Sequence, residues 1–141
     1  MIVWSPAIEV GVPEMDADHR ILVELLNRAA EAVDCDEALS ILGELECYAD
    51  HHFAREEQLM EAHSYEFIDE HRREHQTLFF DVRNHIEDLM AGKGQIENVT
   101  EFLRKWLLNH IAGEDRLLGT AIRRQWLDDA ARGTRVRITE Q

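Results

Sequence analysis

LECYADHHFAREEQLM (residues 45–60) decides the fold. Leu45, Tyr48, His52, Glu56 and Leu59 recur at intervals of three and four, the period that lines side chains along one face of an α-helix. That face is apolar at its ends and carries an imidazole and a carboxylate one turn apart between them. The polar pair therefore points into the layer that the helix buries. A buried ionisable group is costly unless it is paired or bound to a cation. The segment reads as a core helix carrying part of a metal site.

Working outward, three more stretches repeat the arrangement. His19 leads the stripe Leu22, Leu26 and Ala29. His71 and His75, again one turn apart, lead Leu78, Val82 and Leu89. Val99, Leu103 and Trp106 run into His110, with Leu118 beyond. The spacing predicts helices from about Asp16 to Val33, Glu37 to His63, Phe67 to Met90 and Ile96 to Trp126, with Asp16 as the first N-cap. The joins are short: DCDE at 34–37, a break at Ser64 and Tyr65, and AGKG at 91–94. Short joins make neighbours antiparallel, so the expected fold is all-α, an up-down-up-down four-helix bundle. Alternation brings the histidines, early on two helices and late on the other two, to one height.

The bundle is expected at about residues 18–126 of a single domain spanning 1–141. Residues 1–17 hold Pro6, Gly11 and Pro13 and read as an extended arm, with Trp4, Ile8 and Val10 lying on the bundle. Residues 127–141 read as a tail in which TRVRI forms a short extended piece.

The 141 residues carry a formal net charge of -14, which repels nucleic acid and anionic membrane. No apolar run approaches the ~20 residues of a membrane span, and the first residues show no secretory signal, so a cytoplasmic location is expected. Cys35 and Cys47 form no metal-ligand spacing and no disulfide framework. Cys47 is expected to pack within its helix and Cys35 to lie in a loop. His51 and Glu57 are rotated by about 100° from the ligand face and should point outward or back the site. His63 and His85 have no partner at ligand spacing and are expected at the surface.

The segments VWSPAIEVGVPEMDADHRILVELLN (3–27), HHFAREEQLM (51–60), HRREH (71–75) and WLLNHIAGEDRLLG (106–119) together resemble the hemerythrin family, specifically its single-domain bacterial members. The ordered set carries the resemblance, since a lone HxxxH arises on many helices. The resemblance implies two non-haem iron ions (Fe2+/Fe3+) joined by an oxo or hydroxo bridge. It implies that His71, His75 and His110 bind one iron, His19 and His52 the other, and that Glu56 and Asp115 bridge them. It further suggests that Phe53, Trp106, Leu107 and Ile111 form the pocket for dioxygen. One departure is visible: the family often has glutamine before the first histidine, where this chain has Asp18, a difference read as backing the site or lying at the surface.

The fourth helix holds an ambiguity. Glu114 lies four residues after His110, as Glu56 does after His52, and ideal geometry favours it. Asp115 lies five after, rotated by about 140° on an ideal helix. The resemblance favours Asp115, which requires an irregularity near Gly113, such as a π-bulge.

Two octahedral irons offer about twelve positions. Five imidazoles, two bridging carboxylates and a shared solvent oxygen leave one, on the iron with two histidines. That vacancy suits a diatomic ligand, and the expected function is reversible dioxygen binding for storage, delivery or scavenging, without enzymatic turnover. An oxygen-requiring enzyme is the expected recipient. Bundle di-iron oxygenases rely on carboxylates and Glu-x-x-His motifs, which do not recur here. The competing readings are an oxygen- or redox-sensing interaction module and a di-iron enzyme acting on peroxide or nitric oxide.

Overall fold

The computed structural model describes the backbone of residues 1–140 and the side chains of residues 1–132. A short 3-10 turn, Pro6–Ile8, precedes α1 (Pro13–Ala30), α2 (Cys35–Ala62), α3 (Ile68–Met90) and α4 (Ile96–His110). A π-helical turn, Ile111–Asp115, joins α4 to α5 (Arg116–Glu140), so that α4, the π turn and α5 form one rod. α1 packs on α2 and α4, and α3 packs on the same two. This ring is that of an all-α, up-down-up-down bundle.

Local chemistry explains most of the boundaries. α1 begins at Pro13, three residues before the expected cap, because a proline's fixed φ and missing N–H suit the first helical position. Asp16 instead reaches back from the first turn and accepts hydrogen bonds from Val10 N (2.8 Å) and Gly11 N (3.1 Å). α1 also ends at Ala30, short of Val33. Asp34 caps α2 by accepting from Glu37 N at 2.8 Å, while Glu37 accepts from Val33 N at 3.1 Å.

Both helix ends at the long turns close with paired reverse hydrogen bonds. Lys93 N donates to Asp88 O (2.7 Å) and Gly92 N to Leu89 O (3.1 Å), with Gly92 at φ 73°. Tyr65 N donates to Met60 O (2.9 Å) and Ser64 N to Glu61 O (3.2 Å), with Ser64 at φ 50°. The second turn thus places a serine where glycine is favoured.

The arm is strapped to the bundle. Ile2, Val10 and Val12 are buried, and Asn27 clasps Ile2 through Ile2 N to Oδ1 (2.9 Å) and Nδ2 to Ile2 O (2.8 Å). The arm crosses α5 at Gly119, where a Cβ would lie 2.7 Å from Val10 O. It is not extended throughout, since Pro6–Ile8 turns.

Three further expectations are corrected. Cys35 is the first residue of α2 and exposed, not in a loop. Cys47 is exposed because it sits two residues, or about 200°, from the buried Leu45. The expected tail is helical, and TRVRI lies within α5 rather than in an extended piece. Among the described residues no helix is long and apolar enough to cross a membrane.

Candidate metal centre

The inner faces of the four rods meet at seven polar residues. His19 comes from α1, His52 and Glu56 from α2, His71 and His75 from α3, His110 from the end of α4, and Asp115 from the end of the π turn. Each is at most 2 % exposed. All five rings turn Nε2 toward the carboxylates.

The carboxylates divide the rings into two sets. Glu56 Oε2 lies 2.5 Å from His52 Nε2 and 3.4 Å from His19 Nε2. Its other oxygen, Oε1, lies 3.0 Å from His71 Nε2 and 3.2 Å from His75 Nε2. Asp115 repeats this, with Oδ2 at 2.9 Å from His19 Nε2 and Oδ1 at 3.1 Å from His71 Nε2 and from His110 Nε2. Two overlapping groups result, His71/His75/His110 and His19/His52, each with Glu56 and Asp115, and each with one ligand atom per residue inside a 4.8 Å span.

The π turn makes this possible. Asp115 is fully buried and Glu114 half-buried. An ideal helix would rotate Asp115 about 140° from His110. Wider winding over Ile111–Asp115 returns it to the inner face, and Gly113 lies at the turn's middle.

The electrostatics are those of a cation site. Burial by itself disfavours the imidazolium at His19 and His71, but Asp115 and Glu56 outweigh it and raise both to about 9. His110 rises against burial to about 10 beside Asp115 and Glu74, and His52 rises beside Glu56 and Asp18. Burial opposes the charge on Glu56 and Asp115, yet the imidazoles hold both well below the usual carboxylate range. Protons thus supply the positive charge that these carboxylates require, and metal cations would displace them.

Two observations fit metals better than protons. The Asp115 oxygens lie within 3.1 Å of ring nitrogens yet make no hydrogen bond of acceptable geometry, and neither does His52 Nε2. His75 Nε2 and His110 Nε2 face each other at 3.2 Å, an approach of two nitrogens suited to a shared cation. Buried polar atoms in this state call for a further partner, a water or an ion, and imidazole with carboxylate is a donor set for first-row transition metals.

Residues 10–122 match the family model "Hemerythrin HHE cation binding domain". The chain belongs to the hemerythrin family. A bacteriohemerythrin of Stenotrophomonas maltophilia (strain R551-3) is 30 % identical over 119 residues, covering 82 % of this chain and 78 % of the relative. The hemerythrin of Phascolopsis gouldii is 31 % identical over 109 residues, covering 77 % and 82 %. The crystal structure of wild-type hemerythrin superposes with a TM-score of 0.79 at 27 % identity, covering 86 % of this chain and 98 % of that one.

The surroundings of the hemerythrin site are aromatic and apolar. Phe53 stacks on His75 with centroids 3.7 Å apart, and Trp106 stacks on His110 at 4.4 Å. Phe53, Trp106 and Leu107 also line an apolar cavity of about 20 Å³, while Ile111 is buried outside that lining. A cavity of this size is large enough for one small molecule, and its apolar lining offers a water few hydrogen-bond partners.

Three backing groups went partly or wholly unread in the sequence. Asp18 is buried and lies 2.9 Å from His52 Nδ1. Glu74 lies 2.5 Å from His110 Nδ1, and Glu57 lies 3.5 Å from His75 Nδ1. Asp18 and Glu74 each immediately precede one ring of the cluster but serve a ring on another helix, a relation that only packing reveals. His51 is exposed as expected. His63 and His85 are partly exposed, His63 Nδ1 meeting Leu59 O at 2.8 Å and His85 lying 4.6 Å from the Phe102 ring.

Proposed function

We propose that this chain binds dioxygen reversibly at a pair of iron ions. His71, His75 and His110 would hold one ion, His19 and His52 the other, and Glu56 and Asp115 would hold both. The observation that carries the reading is the division of the buried cluster into overlapping sets that share two carboxylates but hold unequal numbers of imidazoles. The set with two imidazoles leaves room for one external ligand. A pair of ferrous ions held there would supply the two electrons that reversible capture of dioxygen requires.

The protein's contribution is to bind, orient and exclude water. Helix spacing presents Nε2 of every ring to the shared carboxylates, and Phe53 and Trp106 hold the planes of His75 and His110. Phe53, Trp106, Leu107 and Ile111 support an apolar approach for a diatomic molecule, since apolar walls repel water and protons that would make capture irreversible. The names of the relatives agree with this reading. The proposal extends to a cytoplasmic setting, with an oxygen-requiring enzyme as recipient.

Metal analysis of protein purified without added metal, followed by anaerobic oxygen titration, tests the reading. Two irons per chain and an oxygen adduct that reverses under vacuum are expected. Zinc or manganese in place of iron would overturn it. Irreversible oxidation with turnover of hydrogen peroxide or nitric oxide would replace it with a di-iron enzyme.

A further inference from the structure

Among the described residues, Asp18 is held by more hydrogen-bond partners than any other carboxylate outside the cluster. It is 7 % exposed. Its Oδ2 lies 2.9 Å from His52 Nδ1 and accepts from Arg55 Nε at 2.8 Å. Its Oδ1 accepts from Tyr48 Oη at 2.7 Å and from Arg55 Nη2 at 2.8 Å. Tyr48, His52 and Arg55 lie on successive turns of α2, so three donors of one helix face close on a single carboxylate of α1. The Arg55 fork is bidentate, a geometry that fixes the carboxylate's plane as well as its position.

We propose that Asp18 is a positioning residue for the metal held by His19 and His52, fixing the ring of His52 and setting that metal's affinity and reduction potential. This rests on the di-iron reading above. With Nδ1–H engaged by Asp18, the nitrogen of His52 left for a metal is Nε2, which faces Glu56 Oε2 at 2.5 Å. A hydrogen bond to a carboxylate makes an imidazole a stronger donor to its metal. His19 Nδ1 has no hydrogen-bond partner, so within this set Asp18 acts through His52 alone. Arg55 and Tyr48 draw on the same carboxylate oxygens and moderate the effect. The other set has its own backing carboxylate, Glu74 on His110, but that one is half-exposed.

The test uses the full iron-loaded chain and the variants Asp18→Ala, Asp18→Asn, Arg55→Met and Tyr48→Phe. Chelator competition should remove one of the two irons from Asp18→Ala about 10–100-fold more readily than from wild type, with partial rescue in Asp18→Asn, which keeps an acceptor oxygen. The reduction potential should rise in Asp18→Asn, where donation weakens. It should fall in Arg55→Met and, less, in Tyr48→Phe, where the carboxylate is freed to act on His52. Opposite signs are not produced by loosened packing. If Asp18→Ala fails to fold, the conservative variants carry the test. Two irons in wild type with potentials unmoved, or moved in one direction by all variants, overturns this proposal and leaves the di-iron reading standing. A wild-type chain that holds no iron overturns both.

Discussion

Glu114 and Asp115 are adjacent acids of the π turn, one half-buried and one wholly enclosed. The wider winding of that turn decides which joins the cluster. Asp115→Asn is therefore expected to lower iron content below two per chain by metal analysis, while Glu114→Gln keeps both. A converse result would assign the bridge to Glu114. The raised imidazoles make a second prediction at this scale. With His19 and His71 at about 9 and His110 at about 10, these rings hold protons at neutral pH in the metal-free chain. Titrating that chain with Zn2+, a redox-silent probe, in weak buffer should release protons, with less release as the starting pH is raised toward those values. No release at neutral pH would mean the rings are already neutral. The histidines and Glu56 were legible because helical spacing alone puts them on apolar stripes. Asp115 was legible only through family resemblance, since ideal geometry pointed to its neighbour. Glu74 was not legible, because its partner lies on a different helix.

Elements were easier to locate than their ends. The four apolar stripes marked the rods, but Pro13 sits close to Pro6 and Gly11 and read as arm, although proline is well suited to begin a helix. The run after Asp128 carries no apolar stripe, so its helical state left no periodic mark. Two glycine exchanges test the turn and crossing described above. Ser64 occupies the left-handed region at φ 50°, which disfavours a side chain. Ser64→Gly should stabilise the chain by up to about 1 kcal/mol in urea unfolding. Gly119 presents the opposite case. Alanine normally favours a helix by about 1 kcal/mol over glycine, but a Cβ there would meet Val10 O at 2.7 Å. Overpacking of this kind costs about 1–3 kcal/mol, so Gly119→Ala should destabilise despite its helix propensity.

Across the whole molecule, the unusual interior makes stability depend on pH in a way the metals should suppress. A histidine raised on folding contributes stability that is complete below its ordinary value of 6.5 and disappears as pH rises through its folded value. For His19 and His71 that loss is centred near pH 9, and for His110 near pH 10. Thermal melts of the metal-free chain should fall over this range. Loading should raise the melting temperature and flatten the dependence, because ions bound to the native state replace the protons. A metal-free chain equally stable at pH 7 and 10 would argue against charged rings in the core.

The order of the seven inner residues along the chain has a bearing on biosynthesis. Asp115, the last of them, follows the other six and reaches the cluster only after the π turn has wound. A chain emerging from the ribosome N-terminus first thus exposes half-built chelating sites until its final rod docks. A cation arriving before that moment would lack both His110 and Asp115. The last-made rod, with the π turn inside it, would therefore complete a two-cation site that the first three rods cannot form alone.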